Sequence, residues 1–184
     1  MKLDSLFSDV LILTPQKFSD HRGHFFEAYN HRTFSISSNI NVDFVQDNQS
    51  HSRRGVLRGL HLQSPPFGQG KLVRVLRGKI RDVIVDVRSA SASFGDYCSI
   101  VLSEDCGRQL WIPEGFAHGF VVLSEVADVL YKTTDYYTPE NEMGIRWDDP
   151  LLNIDWGIDK DKVTLSSRDS AAFSFRDFCK RNPY

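Results

Sequence analysis

Apolar and polar residues alternate with a period of two along much of the chain. The clearest stretch, residues 71–88, reads KLVRVLRGKIRDVIVDVR. Val73 and Val75 alternate with Arg74, and Val83, Val85 and Val87 alternate with Asp82, Ile84 and Asp86. Arg77-Gly78-Lys79 separates the two halves, which predicts a β-hairpin. Further strands are predicted at Val10–Leu13, His24–Tyr29, Val42–Asn48, Val56–Gln63, Tyr97–Leu102, Gln109–Ile112 and Gly119–Thr134, the last broken near Ser124-Glu125. Helical periodicity is weak and predicts only short turns, at Arg32–Ile36 and after Pro139. Many short strands punctuated by Gly, Pro, Asn and Asp indicate an all-β sandwich, jelly roll or barrel.

Strand phase carries functional information. Val42, Phe44, Gln46 and Asn48 share one face, which passes from apolar to amide. His61 and Gln63 share a face with Leu57, and Lys71 with Val73 and Val75. His118 precedes Phe120 and Val122 on one face, and Tyr131 follows Ala127 and Val129. Several strands thus carry polar side chains at the end of an apolar face. A barrel with a polar ligand at one mouth has this pattern.

Composition sets the bounds. The chain has 184 residues, 41% hydrophobic and 25% charged, as expected of one globular domain over residues 1–184. From about Asp159 the chain is more polar, and a loosely packed extension is expected there. Twenty-two basic residues against 24 acidic ones leave a net charge of −2. That balance gives no case for a non-specific nucleic-acid or membrane-surface binder. No apolar run approaches the roughly 20 residues of a membrane span, and the N-terminus has no signal-peptide layout, so a soluble cytoplasmic protein is expected. Cys98, Cys106 and Cys179 are odd in number and lack CxxC spacing, consistent with reduced thiols.

The densest chemistry lies in VQDNQSHSRRGVLRGLHLQ, residues 45–63, which carries His51, Arg53, Arg54, Arg58 and His61. Arg22 sits upstream in DHRGHFFE. Guanidinium forks suit phosphate oxygens, and a diphosphate can engage two forks. Arg58 stands out because it lies between Leu57 and Gly59 in an apolar strand. Simple alternation puts Arg58 and His61 on opposite faces; a bulge at Gly59 would reunite them. His61-Leu62-Gln63, with the later PEGFAH ending at His118, resembles the two cupin motifs. Gln63 stands where a metal-binding cupin has its second histidine, and no Glu follows nearby. Two histidines make a poor divalent site, so no metal is expected, and the imidazoles are left for acid–base work or hydrogen bonding.

The blocks DHRGHFFEAYN, FVQDNQS, GVLRGLHLQ, GQGKLVRVLRGKIRDVIVDVR, RQLWIPEGFAHGF, YKTTDYYTPENEMGIRWDD and LSSRD occur in this order. Together they resemble the dTDP-4-dehydrorhamnose 3,5-epimerase family over roughly residues 3 to 170. The resemblance implies a metal-free, cofactor-free cupin jelly roll working as a homodimer. It further implies that an N-terminal strand joins the partner's sheet and that some site residues come from the neighbouring subunit. The implied substrate is dTDP-4-dehydro-6-deoxy-D-glucose, a dTDP-linked 4-keto sugar, and the implied product dTDP-4-dehydro-β-L-rhamnose. By the same resemblance, His61 is the catalytic base, Asp169 the carboxylate that orients it, Tyr131 the proton donor on the other sugar face and Lys71 the group facing the enolate oxygen. Arg22, Arg58 and His118 match diphosphate and sugar contacts. Glu27, Gln46, Asp47, Asn48, Glu142 and Arg168 match other substrate positions, and Tyr137 matches an aromatic that stacks on thymine.

This chain departs from the family pattern at three places. Leu62 stands where an aromatic is frequent, Arg168 where Lys is usual, and SAAFSF follows Asp169 where a Pro-containing ending is common. The chemistry fits the residue set. Both carbons to be inverted flank the 4-keto group, so inversion needs a base on one face, an acid on the other and a cation near the oxygen. The oxidation level does not change, and no GxGxxG or P-loop occurs. The alternatives are a relative that inverts one carbon only or uses another nucleotide sugar, a metal-dependent cupin oxygenase, and a non-catalytic sugar-nucleotide-binding module.

Overall fold

The computed structural model describes residues 2–7 and 9–184. The strands are β1 (Lys2–Ser5), β2 (Leu11–Thr14), β3 (Phe18–Asp20), β4 (Gly23–Phe25), β5 (Gln46–Arg53), β6 (Leu57–Gln63), β7 (Lys71–Arg77), β8 (Lys79–Asp86), β9 (Tyr97–Ser103), β10 (Gln109–Ile112), β11 (Phe116–Val122), β12 (Val126–Thr133) and β13 (Glu142–Gly144). The helices are short: α1 (His31–Ser38), α2 (Ser167–Ser170) and α3 (Phe175–Cys179).

Two antiparallel sheets face each other, with strand orders β1-β2-β10-β7-β12-β5 and β13-β6-β11-β8-β9. The two strands predicted over residues 71–88 form, but the hairpin expectation is corrected: β7 and β8 lie in different sheets and pair with other strands, and the turn at Gly78 crosses from one layer to the other. The inner faces meet in a core that includes Val73 and Val75 from one sheet and Ile80, Ile84, Phe120 and Val122 from the other. This is an all-β jelly roll of the cupin type, as expected. The phases predicted for Lys71, His118 and Tyr131 hold, because the apolar residues sharing their faces all lie in this inner core.

The outer faces are covered too. Helix α1 lays Phe34 over Leu72, Trp111 and Leu13 of the six-stranded sheet. The C-terminal segment covers the five-stranded sheet, with Trp156, Phe175 and Phe178 packed on Val83, Val85 and Val121. The expected loose extension is therefore a packed layer, since its polar average conceals two buried phenylalanines.

Two further expectations are corrected. The strand begun at Val42 starts at Gln46 and runs to Arg53. Val42 and Phe44 precede it and pack beneath α1, so they do not share the inner face of Gln46 and Asn48. The strand at His24–Tyr29 shrinks to β4, paired only with β3. Strand β1 pairs with β2 within the chain, Lys2 opposite Thr14, and Leu6 N–H bonds to Val10 O just beyond it.

Candidate active site

Strands β5, β12 and β7 of one sheet and β6 and β11 of the other line a cavity of about 470 Å³. Gln46, Asn48, Lys71 and Tyr131 line one wall, and Arg58, His61 and His118 line the other. Arg58 and His61 face the same space because β6 carries the bulge suspected at Gly59. His61 pairs with His118 and Arg58 with Phe120, so three steps on β6 span two on β11. Gly59 has φ +131°, and a Cβ there would lie 2.5 Å from Gly119 Cα. Only glycine against glycine permits that approach. The bulge also moves Leu57 to the outer core, away from His61 and Gln63.

His61 Nε2 lies 2.6 Å from Asp169 Oδ1. Asp169 is buried on the short helix α2, capped by Ser166, whose hydroxyl accepts Asp169 N–H and donates to Oδ2 at 2.8 Å. Burial works to raise the Asp169 carboxyl, but the bonds from His61 and Ser166 outweigh it and hold the group below its ordinary value. The divergent tail still fixes this helix: Phe173 bridges to Ile145 beside β13, and Ala172 packs on Gly144. An imidazole that donates Nε2–H to a carboxylate keeps Nδ1 free to accept a proton.

Lys71 reaches across the cavity floor and donates to His61 O at 3.2 Å. Burial lowers its pKa to about 8, against the upward pull of Glu142 and Asp82. Tyr131 is pushed upward by burial and then by Glu142, while Arg58 pulls it down, so it stays a neutral O–H donor. Arg58 is oriented by its Nε bond to Ser52 Oγ at 3.0 Å.

His118 Nε2 lies 2.9 Å from Asp82 Oδ1, and Asp82 is fully buried. Asp82 was absent from the sequence-derived site. Its signal was a carboxylate flanked by Ile80 and Ile84 on the inward phase of β8. At the rim, Tyr137 Oη donates to Glu142 Oε2 at 2.6 Å, and Arg168 bridges Glu142 and Tyr137 Oη. An arginine fork spans both partners, which a lysine ammonium at the same place would do less well.

Other expected residues lie elsewhere in the chain. Arg22 pairs with Asp20 at 2.6 Å in the exposed β3–β4 turn, and Glu27 accepts from Asn30 Nδ2 at 3.0 Å; neither lines the cavity. Asp47 points outward on β5 and pairs with Lys132 at 2.9 Å, because strand alternation sends it away from Gln46 and Asn48. His51 bonds Asp128 on the same outer face, and Arg53 and Arg54 are exposed. Among the described residues, no three His, Cys, Asp or Glu side chains gather in a metal-binding group.

A jelly roll that sets a histidine–carboxylate pair on one wall opposite a tyrosine and a buried lysine on the other is a cupin-type domain equipped for proton transfer. The family model for dTDP-4-dehydrorhamnose 3,5-epimerase matches residues 5–177. The chain is 52% identical over 164 residues to the dTDP-4-dehydrorhamnose 3,5-epimerase of Salmonella typhimurium (strain LT2), covering 89% of each. A solved dTDP-4-dehydrorhamnose 3,5-epimerase from Elizabethkingia anophelis NUHP1 superposes with TM-score 0.92 at 43% identity, covering 100% of this chain and 99% of that one. A dTDP-6-deoxy-D-glucose-3,5-epimerase from Legionella pneumophila Philadelphia 1, in complex with dTDP-4-keto-L-rhamnose, gives TM-score 0.91 at 45% identity, covering 95% and 93%. The chain belongs to the dTDP-4-dehydrorhamnose 3,5-epimerase family.

Proposed function

We propose that the chain inverts carbons 3 and 5 of dTDP-4-dehydro-6-deoxy-D-glucose to give dTDP-4-dehydro-β-L-rhamnose. The observation that carries this reading is the placement of His61 with Asp169 on one wall and Tyr131 on the facing wall, with Lys71, from the Tyr131 wall, reaching across to the His61 carbonyl. His61 Nδ1 takes the proton from the carbon beside the ketone, and Asp169 stabilises the imidazolium that results. The electron pair moves onto the C4 oxygen, where the Lys71 ammonium stabilises the enolate. Tyr131 returns a proton from the opposite face, which inverts the carbon. The same cycle at the second carbon completes the product, and no electron leaves the substrate.

In this reading Arg58, His118 and Arg168 hold the diphosphate and sugar, Gln46, Asn48 and Glu142 contact the rest of the substrate, and Tyr137 stacks on the base. Arg22, Glu27 and Asp47 lie outside the cavity of a single chain and serve the site of a second copy in a homodimer. Mixing an Arg22→Ala chain with a His61→Ala chain then restores partial activity, and no restoration contradicts sharing.

The activity is tested by proton NMR of the substrate in deuterium oxide, with the product trapped by a 4-keto reductase. Deuterium at both carbons and an L-configured sugar support the reading. Exchange at one carbon makes the chain a mono-epimerase, and no exchange refutes the assignment.

A further inference from the structure

The segment Asp135–Thr138 leaves β12 without regular structure and carries Tyr137 to the cavity rim. Its backbone polar groups have no sheet partner and need other ones. Gln63, only 3% exposed, supplies two of them, beside Gln46, whose Oε1 accepts Tyr137 N–H at 3.0 Å. Its Nε2 donates to Tyr136 O at 3.2 Å and to Phe67 O at 2.6 Å, and its Oε1 accepts Thr138 N–H at 2.8 Å. One amide therefore grips both flanks of Tyr137. Gln69 Nε2 adds a bond to Asp135 O at 2.8 Å. The Gln63 carbonyl is itself held by Tyr184 Oη at 2.7 Å. This task needs two donors and an acceptor on one planar group, which a primary amide provides and a carboxylate or imidazole does not.

We infer that Gln63 is a positioning residue for nucleotide binding, which fixes Tyr137 at the rim by gripping the backbone on either side of it. The inference rests on the proposed reading in which Tyr137 contacts the nucleotide. Both amide hydrogens of Gln63 are committed to backbone carbonyls, so its effect falls on affinity and not on proton transfer.

The test is calorimetric titration of the full chain with dTDP, alongside steady-state kinetics, for Gln63→Leu, Tyr137→Ala and the double variant. Gln63→Leu is expected to weaken dTDP binding and raise KM about tenfold, with kcat within about threefold of the parent. The double variant is expected to bind no more weakly than Tyr137→Ala alone, because the two residues act as a unit. Gln69→Leu, placed in a loop, carries the same test with an about threefold loss should Gln63→Leu fail to fold. Parental dTDP affinity in these glutamine variants, or full additivity in the double variant, overturns the inference while leaving the role of Tyr137 intact. Parental affinity in Tyr137→Ala overturns that role and the inference with it.

Discussion

His61 and Asp169 are 108 residues apart in sequence, yet His61 Nε2 lies 2.6 Å from Asp169 Oδ1. The contact joins a sheet strand to a helix of one turn, and each end is fixed independently. The Gly59 bulge turns His61 into the cavity, and the Ser166 cap holds Asp169.

This pair is the proposed base. Replacing His61 by Ala lowers kcat by about 10²–10⁴, the usual contribution of a positioned proton acceptor. Asp169→Asn keeps the shape but loses the anion, and a comparable loss is expected. Both variants should bind dTDP within about threefold of the parent by calorimetry, because neither group is assigned to the nucleotide. Full activity in either variant contradicts the assignment.

Lys71 predicts the alkaline limb of the pH profile. Its ammonium is the enolate partner, so kcat/KM falls as pH rises through about 8. Glu142 pulls that pKa up, so Glu142→Gln moves the limb to lower pH. Stability moves the other way. Between about 8 and the ordinary lysine value of 10.5 the unfolded chain binds more protons than the folded one, so stability rises with pH across that window. Lys71→Met removes both effects and costs about 10²–10³ in kcat. A limb unchanged in Lys71→Met would contradict this role.

Gly59→Ala tests the bulge. The new methyl would collide with Gly119 at a backbone angle that L-residues avoid. A shift of roughly 1 Å in His61 or Arg58 is enough to cost about 10²-fold in turnover. The same loss is expected for Gly119→Ala, whose Cβ would lie 2.8 Å from Arg58 O. Activity at the parental level in both variants would show that the close approach is dispensable.

Asp86 tests stability away from the site. It is fully buried and accepts from both Nε and Nη2 of Arg88 and from the Ser91 and Ser93 hydroxyls. Burial opposes its ionisation, but these bonds outweigh burial and hold the carboxyl well below its ordinary range. A depressed folded pKa stabilises the protein fully above about pH 4 and less as pH falls below that. Asp86→Asn is expected to cost about 3 kcal/mol at neutral pH by denaturant titration, with the turnover of folded molecules unchanged. A loss below about 0.5 kcal/mol would contradict the structural role.

Much of this was legible in the sequence where side-chain period alone decides the outcome. Lys71, His118 and Tyr131 each sit at the polar end of an apolar face, and the fold keeps all three there. Period failed where the backbone broke step. Alternation misplaced Leu57 relative to His61 because a bulge shifts every later residue by one, although Gly59 marked where the shift falls. Val42 and Phe44 kept the period of Gln46 without belonging to its strand.

Long-range pairing was the other blind spot. Asp82 reads as an ordinary charge until His118 is placed beside it from another strand. The C-terminal segment reads as polar because its anchors, Phe175 and Phe178, are few and set among charges. The grip of Gln63 on the Tyr137 loop leaves no periodic trace, since it is a side chain bonding to irregular backbone.

In the proposed reaction a base on one wall and an acid on the other act on a single enolate. Tyr131→Phe tests it most directly, by proton NMR of dTDP-4-dehydro-6-deoxy-D-glucose in deuterium oxide with the reductase-trapped product analysed for configuration. The variant is expected still to exchange substrate hydrogen, since His61 and Lys71 are intact, but not to deliver the doubly inverted L-sugar. A parental yield of that product from Tyr131→Phe would contradict it.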